Sequence, residues 1–127
     1  AGAGTAIMLD MQGYVAEGYG NNVFAVDHGT LLTPPLGNIL AGVTRQTVMD
    51  LCRREGIPVA ERPMTVYDLV TADEVFESAT MAEIVPVVAI DGRAVGDGRP
   101  GAMTRRVHAL LRALMEGGSE STPIFNA

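Results

Sequence analysis

Glu17-Gly18-Tyr19-Gly20-Asn21-Asn22-Val23-Phe24 joins two short apolar runs and decides how the chain is read. A carboxylate closes one extended run. Two glycines and two asparagines then supply the positive-φ and close-approach positions that turn the backbone into the next run. Taken alone, the stretch is a bulged hairpin. Upstream, Thr5–Asp10 reads as a strand, Met11-Gln12-Gly13 as a turn and Tyr14–Glu17 as the return strand. Downstream, Val23–Asp27 and Thr30–Thr33 are strands joined at His28-Gly29, and Pro34-Pro35 ends the second, because proline has no N–H for a ladder.

Farther along, apolar spacing changes from two to between three and four. Val48, Leu51 and Cys52 define one stripe of a helix expected over Thr44–Glu55, with Thr44 as N-cap and Gly56 as stop. Ile57–Arg62 is extended. Thr65–Val70 is a short helix with near capping-box spacing between Thr65 and Asp68. Glu74–Ser78 and Ile84–Ile90 read as strands, and Asp91-Gly92 as a hairpin turn. Met103–Glu116 is the clearest helix. Its expected buried face is Val107, Leu110, Leu111, Leu114 and Met115, with Arg105, Arg106 and Arg112 in water. The fold class is therefore α+β or α/β. Residues 1–127 form one domain, with a leader over 1–4 that carries no structural signal and a loose tail over 117–127.

Composition narrows the function classes. The net charge of −6 argues against nucleic acid as a general partner. No apolar stretch is long enough to span a bilayer, and no export signal opens the chain. One cysteine, Cys52, allows no internal disulfide and fits a reducing cytoplasm. His28 and His108 lie far apart, so no metal-ligand spacing is present and no metal is expected. Neither a P-loop nor a dinucleotide fingerprint occurs. All nine basic residues are arginines, so no side-chain amine is available for covalent catalysis. The chain begins at Ala1 rather than Met and reads as a piece of something longer.

Two further segments carry chemistry. Gly42-Val43-Thr44-Arg45 opens a helix, and free N–H groups with positive dipole potential suit a phosphate there. Ser78-Ala79-Thr80-Met81-Ala82 follows a strand with small and hydroxyl residues that can hold an anion.

With these go Thr33-Pro34-Pro35, Ala72-Asp73-Glu74-Val75-Phe76, Ile90-Asp91-Gly92-Arg93, Gly96-Asp97-Gly98 and Pro100-Gly101. In this order they resemble the C-terminal domain of the fold-type IV pyridoxal-phosphate enzymes, the class of branched-chain and D-amino-acid aminotransferases. The resemblance runs from about Ala6 to about Leu114. It implies a mixed, mostly antiparallel sheet or pseudo-barrel flanked by helices, with pyridoxal 5′-phosphate as cofactor. It implies that Glu17 faces the pyridine nitrogen, where a carboxylate favours the protonated ring and its electron-sink role. It further implies that Leu40 packs on the ring face and that Val43 and Thr44 hold the phosphate. Thr80 adds a second hydroxyl there, and Met81 lies beside the substrate carboxylate. The reaction implied is ping-pong transfer of an amino group from an amino acid, branched-chain-like, to a 2-oxo acid, by a cytoplasmic homodimer.

The Schiff-base lysine, a phosphate-clamping arginine and the tyrosines of the substrate pocket lie upstream of Ala1 in that family. An N-terminal domain is thus an expected partner, and the chain alone is expected to be inactive. Asn21 stands where the branched-chain enzymes commonly have an acid, and Ala79-Thr80-Met81 where Gly-Thr-Ala is usual. Two other readings stand beside the transaminase. One is a relative that uses the same cofactor to eliminate pyruvate from aminodeoxychorismate. The other is a non-catalytic binding or interaction domain.

Overall fold

Asn22–Asp27 is a strand whose alternate residues are apolar on both sides, so it needs a packed layer against each face. The computed structural model provides this. It describes residues 7–18, 21–35, 42–79 and 83–117, apart from the side chains of residues 8, 17, 18, 79 and 83. In chain order the elements are β1 (Ile7–Leu9), β2 (Val15–Gly18), β3 (Asn22–Asp27), β4 (Thr30–Thr33) and α1 (Val43–Arg54). There follow β5 (Val59–Glu61), α2 (Val66–Val70), β6 (Glu74–Ala79), β7 (Glu83–Pro86), β8 (Ala89–Ile90), β9 (Arg93–Ala94) and α3 (Ala102–Glu116).

The main sheet has the order β5-β4-β3-β6-β7. Its pairs are antiparallel except β4–β5, which are parallel. That exception has a cause, since parallel neighbours need a crossover and α1 provides it. β3 pairs with β6 over five residues, from Asn22↔Ser78 to Val26↔Glu74. One face of the sheet carries Phe24, Val26, Leu31 and Phe76 into a core with Val48, Met49, Leu51 and Cys52 of α1 and Val107 and Leu111 of α3. Phe24 and Phe76 stack there with ring centroids 5.1 Å apart. The other face carries Val23, Ala25, Leu32 and Val75 against Val15, Met64, Leu69 and Val95. The β1–β2 hairpin is drawn onto this face by Ile7 and Val15 and by a bond from the Val15 N–H to the Met64 carbonyl. The result is the mixed, mostly antiparallel sheet with helices expected from the sequence.

The turns follow from their residues. His28-Gly29 and Asp91-Gly92 have positive φ at both positions, 50° and 82° in the first, 50° and 79° in the second. This is the twist that closes two-residue hairpins. Gly56, at φ 77°, stops α1. α2 has the full capping box: Thr65 accepts from the Asp68 N–H, and Asp68 accepts from the Thr65 N–H.

Three expectations need correction. α1 begins at Val43 with Gly42 as N-cap, so Thr44 sits inside the first turn and the N-cap residue brings no capping side chain. Ile84–Ile90 is not one strand. Pro86 ends β7, the Val87 N–H still reaches the Val75 carbonyl, and the chain then bends into the separate β8–β9 hairpin. In α3, Val107 and Leu111 are buried, Leu110 and Leu114 are partly covered, and Met115 is exposed. The apolar stripe is longer than the surface it packs on. The leader over 1–4, Thr5 and the tail beyond Gly117 lie outside the described residues.

α3 also begins with a glycine N-cap, Gly101, and has no capping side chain of its own. Glu74, at the start of β6, supplies the missing acceptors. Its Oε1 accepts from the Thr104 N–H and Oγ1, both at 2.7 Å, and its Oε2 from the Met103 N–H at 3.0 Å. A Cβ at Gly101 would collide with this carboxylate. Glu74→Ala removes three hydrogen bonds and a favourable charge at a helix N-terminus, and should cost about 2–4 kcal/mol in urea unfolding. A loss no greater than that of an exposed α3 substitution such as Arg112→Ala would show that the cap does not hold α3 to the sheet.

Candidate functional site

α1 reaches the sheet with a glycine at its N-cap and therefore no capping side chain at that position. The opening N–H groups of any helix have no partner within it. Here the N-cap is a glycine, with φ −92° and ψ 138°, and the first turn contains no acid. At the other end Arg53 and Arg54 complement the carbonyl pole. Val43 is exposed and Thr44 half-buried. Arg45 is buried, and its Nη2 donates to the Pro34 carbonyl at 3.0 Å and to Glu61 Oε1 at 2.8 Å. Thr47 Oγ1 donates to the Val43 carbonyl at 2.9 Å.

Gly42 is required by proximity. A Cβ there would lie 2.5 Å from Asn22 Oδ1. Asn22 opens β3, and its partner across the ladder is Ser78, near the end of β6. β3 is anchored close by, since Thr33 Oγ1 donates to the Val23 carbonyl at 2.8 Å. Three segments far apart in the sequence therefore meet at one end of the sheet. They are the start of β3 at Asn22, the N-terminus of α1 with Val43 and Thr44, and the end of β6 at Ser78.

Glu17 lies in β2, where its backbone is described and its side chain is not. Leu40, Thr80 and Met81 lie outside the described residues. Two buried ionisable residues at this end, Arg45 and Glu77, were not singled out from the sequence. Their neighbours in sequence signalled only a helix start and a strand, and burial is what distinguishes them. The first-turn N–H groups, the Thr44 hydroxyl and Arg45 place several donors at this end, beside the carboxylates of Glu61 and Glu77. Such an arrangement receives an anion with several acceptor oxygens.

At the opposite end of β3 the fold makes a grouping that spacing did not suggest. Asp27, His28 and Asp73 each offer a ligand atom within 4.8 Å of the others. The His28 N–H donates to Asp73 Oδ2 at 2.8 Å across 45 residues. His28 and Asp73 are exposed and bind the β3–β4 turn to the start of β6. Among the described residues, no helix is long and apolar enough to cross a membrane.

Comparison with known proteins gives concordant results. The family model for amino-transferase class IV matches residues 1–90. The branched-chain-amino-acid aminotransferase of Escherichia coli K12 is 44% identical over 115 residues, which is 90% of this chain and 37% of that protein. That of Pseudomonas aeruginosa is 38% identical over 120 residues, 94% of this chain and 39% of that protein. Among solved structures, the branched-chain aminotransferase of Thermoproteus uzoniensis with norvaline superposes with a TM-score of 0.85 at 40% identity, covering 94% of this chain and 40% of that one. The T.th. branched-chain amino acid aminotransferase complexed with N-(5′-phosphopyridoxyl)-L-glutamate gives 0.89 at 36% identity, covering 94% and 40%. The chain thus spans about two-fifths of the length of these relatives.

Cys52 is the buried thiol of α1, and burial pushes its pKa up to about 11, offset in part by Arg106. The unfolded thiol titrates near 9.0. A proton held more tightly in the folded state gives a contribution that is complete below pH 9 and is lost as pH rises toward 11. Thiol reagents should leave Cys52 unmodified at pH 8 until the chain unfolds, and the stability decline over this window should shrink in Cys52→Ala. Fast modification of the folded chain would contradict its buried place.

Proposed function

The chain belongs to the class IV aminotransferase family, and from that premise we propose that it is the cofactor-holding C-terminal domain of a branched-chain-type transaminase. The observation that supports this reading is the meeting of Asn22, the α1 N-terminus at Gly42 and Ser78 at one end of the sheet, each within or beside a segment that the family resemblance singles out. In this reading the complete protein transfers an amino group between an amino acid and a 2-oxo acid. It does so as a cytoplasmic homodimer, and the free Cys52 fits that compartment.

The residues present fit a phosphate-bearing cofactor. The first turn of α1 offers N–H donors, Gly42 keeps the approach narrow, and no acid in that turn repels an anion. Pyridoxal 5′-phosphate, when bound, supplies the electron sink that makes the Cα proton of an amino acid removable. The chain's own residues bind and orient it. Val43 offers its N–H and Thr44 its hydroxyl to the phosphate, with Thr80 adding a second hydroxyl. Leu40 packs on the ring and excludes water from that face. Glu17 holds a proton at the ring nitrogen, where a carboxylate partner favours the charged form. Met81 offers its N–H to the substrate carboxylate, and its bulk narrows the space for the substrate side chain. The amine that exchanges with substrate comes from a lysine outside these 127 residues, which contain none. The chain alone accordingly binds cofactor without turnover.

Titration of the chain with pyridoxal phosphate and, separately, with dephosphorylated pyridoxal tests the phosphate assignment. Thr44→Val should weaken pyridoxal phosphate about tenfold and leave pyridoxal unchanged, as expected for one hydrogen bond to a charged oxygen. Equal effects on both ligands would remove Thr44 from the phosphate site. In the complete enzyme, Glu17→Gln should lower turnover far more than cofactor affinity. A change confined to affinity would mean that Glu17 binds the ring without tuning it.

A further inference from the structure

Arg45 is in an electrostatically unfavourable place. It lies in the first turn of α1, where the helix already carries partial positive charge and a cation is repelled. It is also 2% exposed, and burying a guanidinium is costly unless its charge is matched. The matching is partial. Glu61 is the paired carboxylate, its side chain 39% exposed, and both Glu61 and the Pro34 carbonyl are served by the same nitrogen, Nη2. Arg45 Nε is buried with no hydrogen-bond partner among the described residues.

A second observation points the same way. Ser78 is 2% exposed, and its Oγ also has no partner among the described residues. Strand alternation puts it on the helix-facing side with Phe76, and it pairs across the ladder with Asn22, the residue that abuts Gly42 at the N-cap of α1. A helix terminus with no acid in its first turn, a buried guanidinium with an unpartnered Nε and a buried hydroxyl, as the described residues show them, all favour one kind of neighbour, a multiply charged anion. The contrast with α3 sharpens this, because that helix also starts at a glycine and meets an internal carboxylate, Glu74.

We propose that Arg45 is a positioning residue whose buried charge, oriented by Glu61 and Pro34, gives the α1 N-terminus its preference for a doubly charged phosphomonoester. It acts through its field and by fixing the first turn that presents Val43 and Thr44. The inference rests on the phosphate assignment made above for this terminus, and it adds a residue and a charge selectivity to it.

The test compares pyridoxal phosphate with pyridoxal, and inorganic phosphate as competitor, on the 127-residue chain at a pH where the phosphate is dianionic. Arg45→Met should lower the pyridoxal phosphate to pyridoxal affinity ratio about tenfold, and Arg45→Lys should retain most of it. Glu61→Gln is the decisive variant. A field effect predicts a ratio that is unchanged or higher, because the neutralising carboxylate is gone. A merely structural clamp predicts that Glu61→Gln and Arg45→Met weaken binding alike, and that result overturns the proposal. If Arg45→Met does not fold by circular dichroism, Arg45→Lys and Glu61→Gln decide: a loss in both overturns it, and retention in both supports it. A ratio lowered by Thr44→Val but not by Arg45→Met leaves the phosphate assignment standing and sinks the role of Arg45. A ratio indifferent to Thr44→Val sinks both.

Discussion

The structure depends on one constraint, the burial of β3 and β6 on both faces. Val23, Ala25 and Val75 face one apolar layer, while Phe24, Val26 and Phe76 face another. A sheet covered on both sides has no wet face on which to carry chemistry. Polar function is confined to the ends of the strands, where the backbone leaves the layers. The two ends then divide the labour. At one, Asp27, His28, Asp73 and Glu74 secure turns and cap α3. At the other, Asn22, Ser78 and the start of α1 come together.

The same constraint organises the electrostatics. The chain carries a net charge of −6, yet the first turn of α1 contains no acid and one buried arginine. Two helices with glycine N-caps are treated differently. α3 receives a carboxylate delivered by β6, and α1 receives no acid in its first turn and a buried arginine instead. Buried groups such as Arg45 weigh more in the field at that end than the scattered surface acids, which solvent screens.

Two-sided packing sets the positions of the strand ends, and Asn22, Gly42 and Ser78 come together as a consequence.

Much was legible in the sequence. Alternation identified β2, β3, β4 and β6, a 3.6-residue stripe identified α1 and α3, and Gly and Asp at turns marked the hairpins, because these signals are local and act within a few residues. The family resemblance named Glu17, Val43 and Thr44 from motifs in order. What local pattern did not reveal was which ends would meet and which polar residues would be buried. Arg45 reads in sequence only as the last residue of a helix-opening segment, Glu74 as an ordinary strand opening, and Thr44 as a cap. The roles of Arg45 and Glu74 depend on partners such as Glu61, Pro34, Met103 and Thr104, 11 to 30 residues away. The sequence by itself determined the elements and their chemistry, through short-range sterics and hydrophobic periodicity. Only the tertiary structure decided that α1 starts against Asn22 and that a cation is buried beside it, because burial and charge compensation arise from contacts that only packing creates.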